Sequence, residues 1–141
     1  MMFLDTHVVV WLYAGEVGRL PAEARRMIEE QDLLISPMVI LELQYLVETG
    51  RLKGEAHTVV ATLAKTLGLE ACEWGFSQVI LEALAQDWTR DPFDRIIVAH
   101  AAARNLPLLT KDDTILANYR KAFWASPLTP RRIVKRAKSS S

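Results

Sequence analysis

Met2-Phe3-Leu4-Asp5-Thr6-His7-Val8-Val9-Val10-Trp11-Leu12 opens the chain as an apolar run broken only by Asp5-Thr6-His7. Its first residues read as a short buried strand ending near Asp5. The apolar residues beyond the break turn into a helix through Trp11-Leu12-Tyr13. A carboxylate in such company is costly to bury unless it is paired or bound to a cation. Three more acids share this setting. Glu42 lies inside Met38-Val39-Ile40-Leu41-Glu42-Leu43, and Asp94 opens Asp94-Arg95-Ile96-Ile97-Val98-Ala99. Asp112 closes Leu106-Pro107-Leu108-Leu109-Thr110-Lys111-Asp112. No matching set of buried Arg or Lys accompanies them, so the four acids point to a divalent metal.

Working outward, strands and helices alternate. Pro21 stands at a first helical position, and Ala22 to Gln31 follows with good helix formers. Asp32-Leu33-Leu34-Ile35 is a second buried strand. Ser36-Pro37 starts a helix, with Ser36 as N-cap and Pro37 at the first position, running to about Glu48. Lys53 to Leu67 reads as a helix closed by Gly68, Leu69 to Cys72 as a strand and Ser77 to Trp88 as a helix. Asp91-Pro92-Phe93 caps an apolar helix to about Ala103, with Asn105 ending it. Pro107 to Thr110 is a strand, Asp113 to Asn118 a short helix and Ala122-Phe123-Trp124 an edge strand. Such alternation implies one α/β domain over residues 1–130: a mainly parallel sheet with helices on both faces, in three α/β/α layers.

In sheets of this kind the working crevice lies at the carboxyl ends of the strands. Asp5 and Asp112 each follow a strand. Glu42 and Asp94 lie in the opening turns of helices, at ends that face the same edge. All four acids therefore converge although they are far apart in sequence.

Composition bounds the class. The 141 residues are the size of one ordinary domain, and half of them are apolar. The longest apolar run is far short of a bilayer span. The first residues carry no basic leader or cleavage site, and Cys72 is alone, so a soluble, reduced, cytoplasmic setting is expected. Net charge is zero but uneven. Arg131, Arg132, Lys135, Arg136 and Lys138 form a basic tail over residues 131–141. With those five set aside, 12 basic residues face 17 acidic ones, a balance of −5. The tail suits contact with a nucleic-acid backbone or an acidic partner, and equally a solvated, flexible end.

Carboxylates without Cys or His partners select Mg²⁺ or Mn²⁺ over zinc. His7, His57 and His100 are scattered and lack zinc spacing, and His7 and His100 read as packed histidines. Oxygen-bound Mg²⁺ suits hydrolysis of phosphodiesters. Some neighbouring residues have structural readings. Asp91 before Pro92 reads as an N-cap, Asp113 as a cap or solvent-facing acid beside Asp112, and Arg95 as a phosphate contact or, by preference, the surface partner of Asp91. Some of Leu43, Tyr45, Leu46, Val47, Trp74 and Phe76 suits a partner groove, with core packing the default for the rest.

Four motifs carry a family resemblance. Phe3-Leu4-Asp5-Thr6-His7-Val8-Val9-Val10-Trp11-Leu12 resembles the opening strand of a PIN domain. Ser36-Pro37 with Val39-Ile40-Leu41-Glu42-Leu43 is similar to the glutamate-bearing second motif. Arg90-Asp91-Pro92-Phe93-Asp94-Arg95-Ile96-Ile97-Val98-Ala99-His100-Ala101 resembles the third motif of VapC-like ribonuclease toxins. Leu108-Leu109-Thr110-Lys111-Asp112 is similar to the fourth. Each alone is weak; the ordered set over residues 3–112 is specific. The resemblance implies an Mg²⁺- or Mn²⁺-dependent endoribonuclease acting on RNA, the toxin of a toxin–antitoxin pair, with a homodimer and an antitoxin partner. It carries the metal-ligand and catalytic roles onto Asp5, Asp94, Asp112 and Glu42. Thr6 and Thr110, with Asp91, would support those acids or a bound water.

Rival readings remain at this stage. A phosphotransfer enzyme of haloacid dehalogenase type also places an aspartate after its first strand, but needs a second acid where His7 stands. A receiver domain would need paired acids near the start of the chain. A non-catalytic PIN-like binding module would have little use for four intact acids.

Overall fold

β1 (Met2–Leu4) is the middle strand of five, and each of its side chains is buried. A strand covered on both faces needs continuous apolar sequence rather than alternation, which is what Met2-Phe3-Leu4 supplies. The structure, a computed structural model, describes residues 1–125. The basic tail and the expected domain boundary at residue 130 lie outside them.

From β1 the chain runs through α1 (Thr6–Ala14), a 3₁₀ turn (Val17–Arg19) and α2 (Ala22–Glu30) to β2 (Leu33–Ile35). It continues through α3 (Pro37–Glu48) and α4 (Ala56–Leu67) to β3 (Glu70–Ala71). Next come α5 (Phe76–Leu84), α6 (Pro92–Ala103), β4 (Leu108–Leu109), α7 (Asp113–Asn118) and β5 (Ala122–Phe123). The strand order is β3-β2-β1-β4-β5 and every pairing is parallel, with Phe3 opposite Leu34 on one side and Leu108 on the other. Connections from β1 to β2 and β3 cross the sheet one way, and those to β4 and β5 the other. Right-handed crossovers then set helices on both faces, giving the three-layer α/β/α domain the sequence implied. The reversal occurs at β1, between β2 and β4. A crevice therefore opens beyond the carboxyl end of β1, where Asp5 begins.

The capping residues fix where the helices start. Ser36 Oγ accepts from Met38 N (3.1 Å), and Pro37 holds the first position of α3. Asp91 Oδ1 accepts from Phe93 N (2.8 Å) and Asp94 N (3.3 Å) ahead of Pro92 in α6. Gly15 and Gly68 close α1 and α4 with φ of 74° and 72°, a left-handed turn that a side chain resists. Two helices are shorter than the sequence suggested. α4 starts at Ala56 rather than Lys53, because Gly54 takes φ 97° and Glu55 is extended. α5 ends at Leu84 rather than Trp88.

Arg95 explains that early end and corrects its own expected role. It pairs neither with Asp91 nor with a phosphate-facing surface. From α6 its Nε donates to Ala83 O (2.8 Å), Nη1 to Thr89 O (3.2 Å) and Nη2 to Leu84 O (3.4 Å). The guanidinium thus satisfies carbonyls at the end of α5 and in the loop into α6. A second tie joins α6 to α3. His100 Nδ1 and the capping hydroxyl of Ser36 share a buried 2.8 Å hydrogen bond. Burial lowers the pKa of His100, against a smaller upward pull from the Ile96 backbone, so the ring is neutral there.

Replacing Arg95 with methionine keeps the stem but removes the side-chain donor from Leu84 O and Thr89 O and leaves Ala83 O with backbone donors only. The expected outcome is a loss of about 1–3 kcal/mol in urea unfolding at an unchanged m-value. An unchanged midpoint would remove Arg95 as the clamp between α5 and α6.

Candidate active site

Asp5 is the most buried of the acids, only 4 % exposed. Its backbone N–H extends the β1–β4 ladder to Leu109 O (3.0 Å), so the sheet sets its position. Its carboxylate is spread over several donors. Oδ1 caps α1 by accepting from Thr6 N (2.8 Å), and Oδ2 accepts from the Thr110 hydroxyl (2.6 Å). His7 Nδ1 stands 3.6 Å from Oδ2. The other ring nitrogen, Nε2, accepts from Lys111 N (2.8 Å), so a neutral His7 carries its proton on the side facing Asp5. Burial is the largest influence on His7 and lowers its pKa, although Asp5 and Asp112 pull it up.

The other acids arrive from three different helices. Asp112 is the N-cap of α7, with Oδ1 accepting from Thr114 N (2.8 Å) and Ile115 N (3.0 Å). The expected division between Asp112 and Asp113 changes here. The cap is Asp112, and Asp113 is an exposed residue in the first turn. Capping uses one oxygen of Asp112 and leaves Oδ2 without a hydrogen bond among the described residues. Glu42, on α3, accepts from the Thr6 hydroxyl through Oε1 (2.5 Å). The two threonines therefore serve other acids than their sequence neighbours suggest. Thr6 holds Glu42, while Thr110 holds Asp5 and accepts from Asp112 N (3.0 Å). Asp94, in the first turn of α6, is half-buried and its carboxylate accepts no hydrogen bond from any described residue.

Asp5, Glu42, Asp94 and Asp112 line one cavity of about 340 Å³, together with Thr6, His7, Val10, Leu46 and Arg51. Asp91 is outside this lining; it is exposed and caps α6. Among the described residues, no three Asp, Glu, His or Cys side chains are gathered as a finished metal site. Mutual repulsion is nevertheless strong. Burial, followed by the charges of Asp91, Asp5, Asp112 and Glu42, pushes the pKa of Asp94 up to about 7. Burial also raises Glu42, against the opposing pull of the Thr6 hydroxyl, with Asp5 and Asp91 adding to the rise.

The donors fit a hard divalent cation. They are all carboxylate oxygens, Asp94 has no hydrogen-bond partner among the described residues, and its proton substitutes for missing positive charge. Asp5, Asp94 and Asp112 would hold such an ion, with Glu42 beside them. Sequence reasoning missed Arg51. It follows the end of α3 in a loop and carries no local signal, yet the fold turns it into the acidic cavity. There it can meet an anion that the carboxylates alone would repel.

Comparison with known proteins agrees with this geometry. A Klebsiella pneumoniae toxin–antitoxin complex superposes with a TM-score of 0.61 at 18 % identity, over 87 % of this chain and 96 % of that one. VapBC2 from Rickettsia felis, bound to a promoter DNA fragment, gives 0.57 at 19 % identity, over 89 % and 98 % of the two chains. DNA-bound VapBC from Salmonella typhimurium gives 0.58 at 19 %, with the same shares covered. At these identities the likeness is one of fold. No curated protein matches the sequence. The PIN domain family model matches residues 2–121, from the first residue of β1 to the threshold of β5. With that match spanning nearly the whole described chain, the protein belongs to the PIN domain family.

Proposed function

We propose that the protein is a metal-dependent endoribonuclease, the toxin of a toxin–antitoxin pair, working with Mg²⁺ or Mn²⁺ in the cytoplasm. The observation that carries this reading is the shared cavity of Asp5, Glu42, Asp94 and Asp112, in which the Asp94 carboxylate accepts no hydrogen bond from any described residue. PIN family membership and the likeness to toxin–antitoxin structures support the same reading. Exposed apolar side chains support a homodimer and an antitoxin partner. Leu41 and Tyr45 on α3, Phe76, Leu81 and Leu84 on α5, and Trp74 all stand out from the core, Phe76 with 67 % exposure.

A hard cation in the crevice would supply charge neutralisation at the phosphodiester and a lowered pKa for water. The residues do the remaining work. Asp5, locked by Thr6 N and Thr110, gives a fixed anionic wall at the switch point of the sheet. Glu42, with its raised pKa and one oxygen held by Thr6, orients a water and accepts its proton as the water oxygen bonds to phosphorus. The phosphorus–oxygen bond opposite that attack breaks, and the proton passes to the leaving oxygen. Arg51 offsets the charge of the phosphate as it enters.

Incubating the protein with RNA and Mn²⁺ or Mg²⁺ is expected to give cleavage that a chelator abolishes. Asp94→Asn should lower the rate by about 100-fold or more while circular dichroism stays unchanged. Cleavage that persists in chelator, or in the folded variant, overturns the metal-dependent mechanism.

A pH test addresses the same crevice without activity. Asp94 titrates at about 7 in the folded protein and near 3.8 when unfolded. Folding therefore favours the protonated acid: its stabilising contribution is complete below about 3.8 and is lost as pH rises through about 7. In chelator, wild-type stability relative to Asp94→Asn should fall across that window, and added Mn²⁺ should reverse the fall at the upper end. Parallel stability curves for the two proteins, with and without Mn²⁺, would show that Asp94 neither carries that strain nor meets the ion.

A further inference from the structure

A second cavity, of about 270 Å³, adjoins the acidic one and shares two walls with it. It is lined by His7, Trp11, Lys111 and Asp112, and His7 and Asp112 also line the acidic cavity. One turn of α1 separates His7 from Trp11, so both rings face the same way. The hydrogen bond from Lys111 N to His7 Nε2 fixes the loop after β4 against that face.

The chemistry here differs from that of the acidic crevice. His7 and Trp11 have ring centroids 5.1 Å apart, and Trp124 meets the edge of Trp11 at 5.8 Å and His7 at 6.3 Å. Lys111 Nζ lies 5.9 Å from the centroid of Trp11, and the Arg19 guanidinium lies 5.3 Å from it. Trp11 and Trp124 pack against the core yet remain partly exposed, and Lys111 is exposed. Aromatic faces with adjoining cations take a flat π-system attached to an anion. A nucleobase with its phosphate is such a ligand.

We propose that this pocket is a nucleotide subsite: it stacks an unpaired base of single-stranded RNA on Trp11, with Lys111 on that nucleotide's phosphate, beside the bond presented to the acidic crevice. The choice of RNA rests on the nuclease reading above; the stacking geometry stands apart from it. The shared walls set the register, because a base in one cavity leaves its own phosphodiester at the boundary with the other. Duplex RNA is excluded, since its bases are stacked on one another and cannot enter a pocket of this kind. Trp11 and Lys111 are thus positioning residues that select strand state.

Binding is measured by fluorescence anisotropy with a labelled random-sequence RNA hexamer and a blunt duplex control, in Mg²⁺. All proteins are full-length and carry Asp94→Asn to suppress cleavage. Adding Trp11→Leu should weaken hexamer binding by about 5- to 100-fold and leave duplex binding unchanged, while Trp11→Phe stays close to the parent. Adding Lys111→Met, at an exposed position, should weaken hexamer binding and reduce its salt slope by about 0.7. Hexamer binding that ignores both Trp11→Leu and Lys111→Met, or an equal loss on hexamer and duplex, overturns the subsite. If Trp11→Leu is misfolded by circular dichroism, the Lys111→Met salt slope decides. Cleavage of the same hexamer pool by the protein with Asp94 intact separates the two ideas. Trp11-dependent binding without cleavage retires the nuclease reading and keeps the subsite, whereas cleavage with Trp11-independent binding does the reverse.

Discussion

The whole arrangement depends on holding a nearly buried carboxylate, Asp5, at the end of the central strand. Burying that charge is unfavourable unless polar partners surround it, and the fold provides them from the start of α1 and from the loop beyond β4. The first turn of α1 offers Thr6 N, the loop beyond β4 offers the Thr110 hydroxyl, and His7 turns a ring nitrogen toward the same oxygen. Thr6 N and the His7 ring belong to α1, and the Thr110 hydroxyl to the loop after β4. Satisfying Asp5 therefore fixes the angle of α1, the pairing of β1 with β4 and the path of the loop that carries Lys111 and Asp112.

The remaining acids are held less tightly, and the difference has chemical meaning. Glu42 has one hydroxyl partner, Asp112 commits one oxygen to a helix cap, and Asp94 has no hydrogen-bond partner among the described residues. The elements that carry them are nevertheless fixed. Ser36 and His100 join α3 to α6, and Arg95 joins α6 to the end of α5. Rigid elements carrying under-satisfied carboxylates concentrate negative potential where positive charge is missing. Burial first, and then that concentration, push Asp94 up to about 7. On the reading proposed here, a divalent ion takes the place of the proton.

Beside this field lies a surface of opposite character, where Trp11, Trp124 and His7 adjoin Lys111 and Arg19. Asp112 and His7 form the partition between the two. A molecule with alternating flat apolar and anionic groups meets complementary chemistry on each side of that partition. On the two proposals above, bond breaking would fall to the acids and substrate selection to the aromatic ring and the lysine.

The sequence by itself determined the element order, the parallel three-layer sheet and the acids worth attention, because these depend on local signals. Apolar runs bounded by acids mark strands buried on both faces, and Ser36-Pro37 and Asp91-Pro92 announce helix starts through their own side chains. Family motifs brought Asp5, Glu42, Asp94 and Asp112 into one set, but local sequence could not say which donor serves which acid. Thr6 reaches Glu42 across 36 positions, and Thr110 reaches Asp5 across 105. Arg95 looked like a partner for nearby Asp91 because charge pairing is legible locally, whereas its contacts with carbonyls at the end of α5 are not. Arg51 and the Trp11–Lys111 pocket were equally hidden, since each depends on segments brought together only when the sheet closes. Tertiary structure alone decided how the charges are shared, because hydrogen bonds and repulsion act across space while the sequence orders residues only along the chain.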